Sequence, residues 1–163
     1  MLRASVSLVL ALGAASCGTQ AAMLNMTTWN EGAFSISLPA EMSKVDDQGD
    51  DSQCAIFATA DRAVEVSYDF GWYSSDLSSE LDSFETYRSE AAVIDGEDAV
   101  VVVGTLKPDA RWRHEGRRVV AATWQHIGGA ESQAKLTVLC QLKDARLESA
   151  MLDVIRGVRF HSK

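Results

Sequence analysis

Ser132 and Lys135 stand three apart in the string SQAK, the spacing at which a lysine amine can activate a serine hydroxyl. The string follows Gly128-Gly129 at the entrance of a predicted strand instead of lying on a helix, and its companion motifs do not accompany it, so it reads as a chance match. HEGRR, His114 to Arg118, lacks the second histidine that a zincin helix needs, and the sequence has no GxSxG elbow, GxxxxGK[ST] loop or GxGxxG turn. Asp46, Asp47, Asp50 and Asp51 around Gly49 offer the hard oxygens that Ca²⁺ takes, but out of EF-hand register, and they read as a solvated acidic loop. His114, His126 and His161 are isolated, and neither Cys54 nor Cys140 has a second Cys or His at chelating distance, so no metal and no cofactor is expected.

The residues that invite a contact role are of another kind. RWRHEGRR gathers Arg111, Arg113, Arg117 and Arg118 with Trp112 and His114 in one predicted loop of an acidic chain. Arginine presents planar, bidentate donors and tryptophan seats well at interfaces, so this loop is a candidate grip for phosphate, lipopolysaccharide or an acidic partner. A solvated loop pairing with the surplus acids is the plain alternative. Trp72 and Tyr73, directly after Gly71, are the other candidate contacts, with packing inside the domain as their alternative. Lys and Arg number 15 against 23 Asp and Glu, a net charge of −8, which argues against nucleic acid as a partner.

The N-terminus supplies an address. MLRASVSLVLALGAASC has one cation, Arg3, an apolar stretch from Val6 to Leu12 and then small residues, the layout of a secretory signal. That stretch is too short for a bilayer core that takes about 20 helical residues to cross. Ala14-Ala15-Ser16-Cys17 resembles the lipobox of bacterial lipoproteins, with Ala where Leu is usual, which implies lipidation of Cys17; ordinary cleavage near Ser16 or Ala21 is the alternative. The expected layout is a signal peptide over 1–16, lipid attachment and tether over 17–30, and one domain over 31–163. Cys54 and Cys140 then remain as an even pair in an oxidising compartment, either bonded to each other or as two separate buried thiols.

A chain of 163 residues that is 47% hydrophobic and 23% charged can bury a real core. Phe34, Ile36 and Leu38 alternate with serines and end at Pro39, which predicts a first strand. Cys54 to Ala58 and Val64 to Phe70 predict a strand pair across Ala60-Asp61-Arg62, and SSDLSSELDS a loop with at most one helical turn. Tyr87 to Ile94 and Glu97 to Leu106 form a hairpin across Asp95-Gly96, and the run Val100 to Val103 predicts a central strand covered on both faces. Val119 to His126 and Lys135 to Leu142 make a third hairpin. From Asp144, apolar residues at Leu147, Met151, Val154, Ile155 and Val158 predict a closing helix with one buried stripe. The fold class is α+β, a mainly antiparallel sheet of about six to seven strands in hairpins with a C-terminal helix packed on it.

FSISLP at Phe34 to Pro39, Asp51-Ser52, YDFGWYS at Tyr68 to Ser74, IDG at Ile94 to Gly96 and GVRF at Gly157 to Phe160 resemble a group of small exported bacterial proteins and, more widely, the PsbP-like superfamily, in which an antiparallel sheet packs between helices. The resemblance implies an α/β/α sandwich and a binding or accessory role, and it transfers no site residue. The expectation is an accessory or protein-binding module of the bacterial cell envelope, held to the membrane by its N-terminal lipid, with an unknown envelope protein or an anionic surface as partner. A small envelope hydrolase or a small-ligand carrier is the alternative, and a soluble periplasmic or secreted form the alternative location.

Overall fold

Period-two alternation becomes strands at every place where it was strong, and all the strands pair antiparallel. The computed structural model describes residues 25–46, 52–74, 76–110 and 117–161. Among these described residues ten strands form, β1 (Met26–Asn30), β2 (Phe34–Pro39), β3 (Ser43–Asp46), β4 (Gln53–Ala58), β5 (Val64–Gly71), β6 (Phe84–Ile94), β7 (Glu97–Leu106), β8 (Arg118–Trp124), β9 (Lys135–Leu142) and β10 (Arg159–Phe160), with one helix, α1 (Glu148–Arg156). Seven strands make the main sheet in the order β3-β4-β5-β9-β8-β7-β6, and three make a small sheet in the order β1-β2-β10. The architecture is therefore α+β and mostly antiparallel.

Residues directly opposite in neighbouring strands share a face, so the register divides the main sheet into two sides. On one side Phe57, Val66, Cys140, Val120 and Val103 form a row. Over this row lie α1, through Met151, Val154 and Ile155, and the small sheet, through Phe34, Ile36 and Leu38. Phe34 meets Tyr68 edge-on with ring centres 5.0 Å apart, and Trp29 meets Phe57 at 4.9 Å. The other side is thinner. There Leu77, Phe84, Leu106 and Ala110 cover Val102, Val119, Ala121 and Leu139.

Local chemistry sets the ends of these elements. Asp95 (φ 52°) and Gly96 (φ 85°) are both left-handed, the backbone that a two-residue hairpin turn requires. Asp95 then accepts a hydrogen bond from the Phe160 amide at 2.7 Å, which ties the hairpin tip to β10. The Asp144 carboxylate accepts from the Arg146 amide at 2.9 Å, capping a 3-10 turn (Ala145–Leu147) that leads into α1.

Several expectations change. Where the sequence predicts a tether through Asn30, Met26–Asn30 pairs with β2 from Met26↔Pro39 to Asn30↔Ser35. β1 is polar because most of its side chains are exposed, and its pairing comes from backbone hydrogen bonds that hydrophobic periodicity does not report. The predicted loop over SSDLSSELDS contains two 3-10 turns, Leu77–Ser79 and Leu81–Ser83. β7 is not central but lies one strand from the edge, and Val100 is 46% exposed although Val101, Val102 and Val103 are buried. Cys54 and Cys140 are not joined in a disulfide. β5 stands between their strands, with Cys54 opposite Asp69 and Cys140 opposite Val66, so the two sulfurs lie on opposite faces, two strands apart. A disulfide needs Cα atoms within about 7 Å, and two strand spacings already exceed that.

Candidate functional site

The thin side of the sheet carries an open groove of about 740 Å³. Its floor is Ala91 and Val100, a cross-strand pair from β6 and β7. One wall is Asp76-Leu77 and the other the start of the β8–β9 connection at Gln125 and His126. Gly71 (φ 152°) turns the chain out of β5, and the Ser74 hydroxyl donates to the Asp69 carbonyl at 2.8 Å, which starts the segment that crosses the sheet. Leu77 anchors that segment by burying its side chain among Val102, Ala121 and Leu139, while its amide donates to the Thr123 hydroxyl at 3.4 Å. Thr123 in turn lies 3.1 Å from the Thr137 hydroxyl, a buried polar pair beneath the wall.

Polar contacts hold the rim. Gln125 Nε2 donates to Asp76 Oδ2 at 2.8 Å, joining the two walls, and the Gly128 amide donates to Glu97 Oε1 at 3.1 Å, fixing the β8–β9 connection to the start of β7. His126 adopts φ 59°, a left-handed conformation rare outside glycine. Its Nδ1 lies 2.7 Å from the Ser132 carbonyl. A carbonyl only accepts, so Nδ1 carries the proton and Nε2 is the basic nitrogen of the neutral ring. Asp76, Glu97 and Asp98 line the main groove, which is acidic as well as apolar.

Beyond Gln125 and His126 the groove adjoins a smaller recess of about 270 Å³, lined also by Trp72, Gln133 and Lys135. Trp72 is 65% and Tyr73 79% exposed, so both aromatics stand at the surface and not in the core. Ser132 and Lys135 do come near this recess without forming a dyad. The Ser132 hydroxyl accepts from the Ala134 amide, and His126 reaches the carbonyl of Ser132, not its hydroxyl. Among the described residues no group of three His, Cys, Asp or Glu is placed to hold a metal ion.

The arginine cluster divides. Arg117 is 7% exposed, with Nη2 donating to the Arg62 carbonyl at 2.7 Å and Nη1 to Gln141 Oε1 at 3.4 Å. Arg118 Nε donates to Glu148 Oε2 at 2.8 Å and its Nη1 to the Thr105 hydroxyl at 3.2 Å. Both guanidiniums hold the fold together: Arg117 ties β9 to the β4–β5 turn, and Arg118 ties β8 to α1. This corrects the expectation that all four arginines face a partner from one loop. Arg111, Trp112, Arg113 and His114 lie outside the described residues, as do Cys17 and the acids Asp47, Asp50 and Asp51.

Asp76 and Leu77 were not singled out by sequence, and neither Val100 nor His126 was read as a contact residue. Leu77 and Val100 sit in stretches read as loop and as buried strand, and only the crossing segment puts them on the two sides of one groove. Among the described residues no helix is long and apolar enough to cross a membrane. Neither the protein-family models nor the curated proteins compared with this chain give a match.

Proposed function

We propose that the protein is an accessory binding module of the bacterial cell envelope, exported by its N-terminal signal and held at the membrane through lipid on Cys17. Its contact surface is the groove floored by Ala91 and Val100 of the β6–β7 hairpin and walled by Asp76-Leu77 and the start of the β8–β9 connection, with Trp72 at the far end. One observation carries this reading. An open channel with an apolar floor, an acidic lining and an exposed tryptophan at its end suits a chain segment laid along it better than a small molecule, which a site would enclose. The lining acids Asp76, Glu97 and Asp98 favour a segment that carries cations beside apolar side chains. The sequence resemblance to PsbP-like proteins, whose layout implies accessory binding, points the same way as analogy only.

Photo-crosslinking amino acids at Trp72 and at Val100 test the groove, with one at Arg156 on the opposite side of the sheet as control. The expected result in intact cells is the same envelope protein captured from both groove positions and not from the control. Identical capture patterns from all three positions would remove the groove as the contact surface. Intact mass of the purified protein tests the anchor: an unmodified Cys17, or a chain starting after it, overturns lipid attachment.

A further inference from the structure

β6 ends the main sheet, and its outer edge has no strand paired to it among the described residues. It is 11 residues long, and from Glu85 to Ala91 every side chain is exposed. Proteins usually protect such an edge with proline, a short strand or a bulge. Here the register shift lies at the strand's start, between Phe84 and Thr86, and the pairing from Thr86 to Ile94 with β7 is regular.

Hydrogen-bond parity tells which backbone groups the edge offers. The two-residue turn at Asp95-Gly96 makes Ile94 and Glu97 a pair that exchanges both hydrogen bonds. Alternation then directs the amides and carbonyls of Ala92, Glu90 and Arg88 to β7, and those of Val93, Ala91, Ser89 and Tyr87 outward. Beside these outward groups stand exposed apolar side chains, Val93 at 70% and Tyr87 at 50%.

We infer that β6 pairs antiparallel with β6 of a second copy, about a two-fold axis at Ser89, to join the two main sheets into one. The charges on the strand single out this register. With the axis at Ser89, Arg88 lies directly opposite Glu90 of the partner subunit, and the symmetry makes the same pair again. Moving the axis one residue toward Arg88 sets Arg88 against the partner's Arg88, and moving it one residue toward Glu90 sets Glu90 against the partner's Glu90. Directly opposed unlike charges stabilise a strand pair and like charges oppose it. The same register lays Tyr87 across the partner's Ala91, beside Val100 at the groove floor, and so covers apolar surface that is open in the single chain. Tyr87, Ser89 and Ala91 then supply roughly six backbone hydrogen bonds across the axis. Arg88 already donates to Glu148 Oε1 at 2.8 Å, and the remaining guanidinium donors can serve a second carboxylate. A two-fold contact closes on itself and does not propagate into fibres. The pairing follows from the strand edge and its charges, and does not rest on the reading of the groove as a contact surface.

Sedimentation equilibrium of the full chain in mild detergent, over a concentration series, is the test. The parent chain is expected to form dimers. Ser89→Pro removes an outward amide without breaking an intrachain bond, and it should raise the dimer dissociation constant by about tenfold or more. Glu90→Arg and Arg88→Glu each set like charges against each other and should each weaken the homodimer. Mixing these two variants restores both opposite-charge pairs, so a heterodimer should form where neither homodimer does. This rescue decides the matter even if the proline variant fails to fold. A parent chain that stays monomeric at every concentration overturns the inference. So does a dimer that ignores all three substitutions, or charge variants that do not rescue each other.

Discussion

Replacing Gly104 with alanine should destabilise the domain by about 2 kcal/mol, through a clash with main chain as well as side chains. Gly104 sits in β7 opposite Tyr87, where the β6 register shift brings Phe84 over the strand. A Cβ at this position would stand 2.5 Å from the Thr86 carbonyl oxygen, 2.7 Å from Phe84 Cδ1 and 2.8 Å from Tyr87 Cβ. The first of these is main chain held in the β6–β7 ladder, and Phe84 is buried among Leu106, Val102 and Val119, so neither yields easily. Forcing one carbon into such a site costs about 1 to 3 kcal/mol, toward the upper end when the obstacle is backbone. Loss of glycine's freedom in the unfolded chain offsets about 0.4 to 1 kcal/mol of that. The net is a fall in melting temperature of about 8 °C, at roughly 4 °C per kcal/mol for a domain of this size. Urea denaturation followed by circular dichroism measures it, with an unchanged slope as the sign that the unfolded state is the same. A Gly104→Ala variant as stable as the parent would refute the packing described for the start of β6.

Burial pushes the Cys140 thiol up to about 12, and Cys54 is only half-buried, so a thiol reagent at pH 8 should modify Cys54 in the native protein and Cys140 only in denaturant. Finding the two sulfurs bonded to each other would contradict the separation of β4 from β9. Glu148 accepts from both Arg88 and Arg118, so Glu148→Ala should lower stability by about 1 to 2 kcal/mol, measured by urea denaturation, and a change near zero would mean that solvent already screens the pair. Hydrogen bonds from the Ala63 amide and the Thr59 hydroxyl hold Asp61 below its ordinary 3.8, and the Arg146 side chain and amide do the same for Asp144. Carboxylates lowered in the folded state stabilise it above 3.8, and that contribution is lost as pH falls below 3.8 through the folded values. An NMR titration of both side chains with midpoints at or above 3.8 would contradict these contacts.

Much of the secondary structure was written locally. The alternation of Phe34, Ile36 and Leu38, the Asp95-Gly96 turn, the β8–β9 hairpin and the helix after Asp144 need only near neighbours in the chain to specify them, because periodicity and turn stereochemistry act over a few residues. The α+β class followed from their sum. Strand order did not. β9 lies between β5 and β8, a long-range pairing that its sequence does not encode, and that one placement separates Cys54 from Cys140. The four valines from Val100 to Val103 read alike in sequence, yet Val100 alone is open, because the segment through Leu77 stops short of it. Arg117 looked like a surface cation and is a buried brace, since only the folded chain brings the Arg62 carbonyl and Gln141 within its reach. Which side chains share a face depends on strands distant in sequence, and so the groove and the open β6 edge were decided by tertiary structure. The charges that select a register along that edge, Arg88 and Glu90, were in the sequence from the start; their meaning came from the edge.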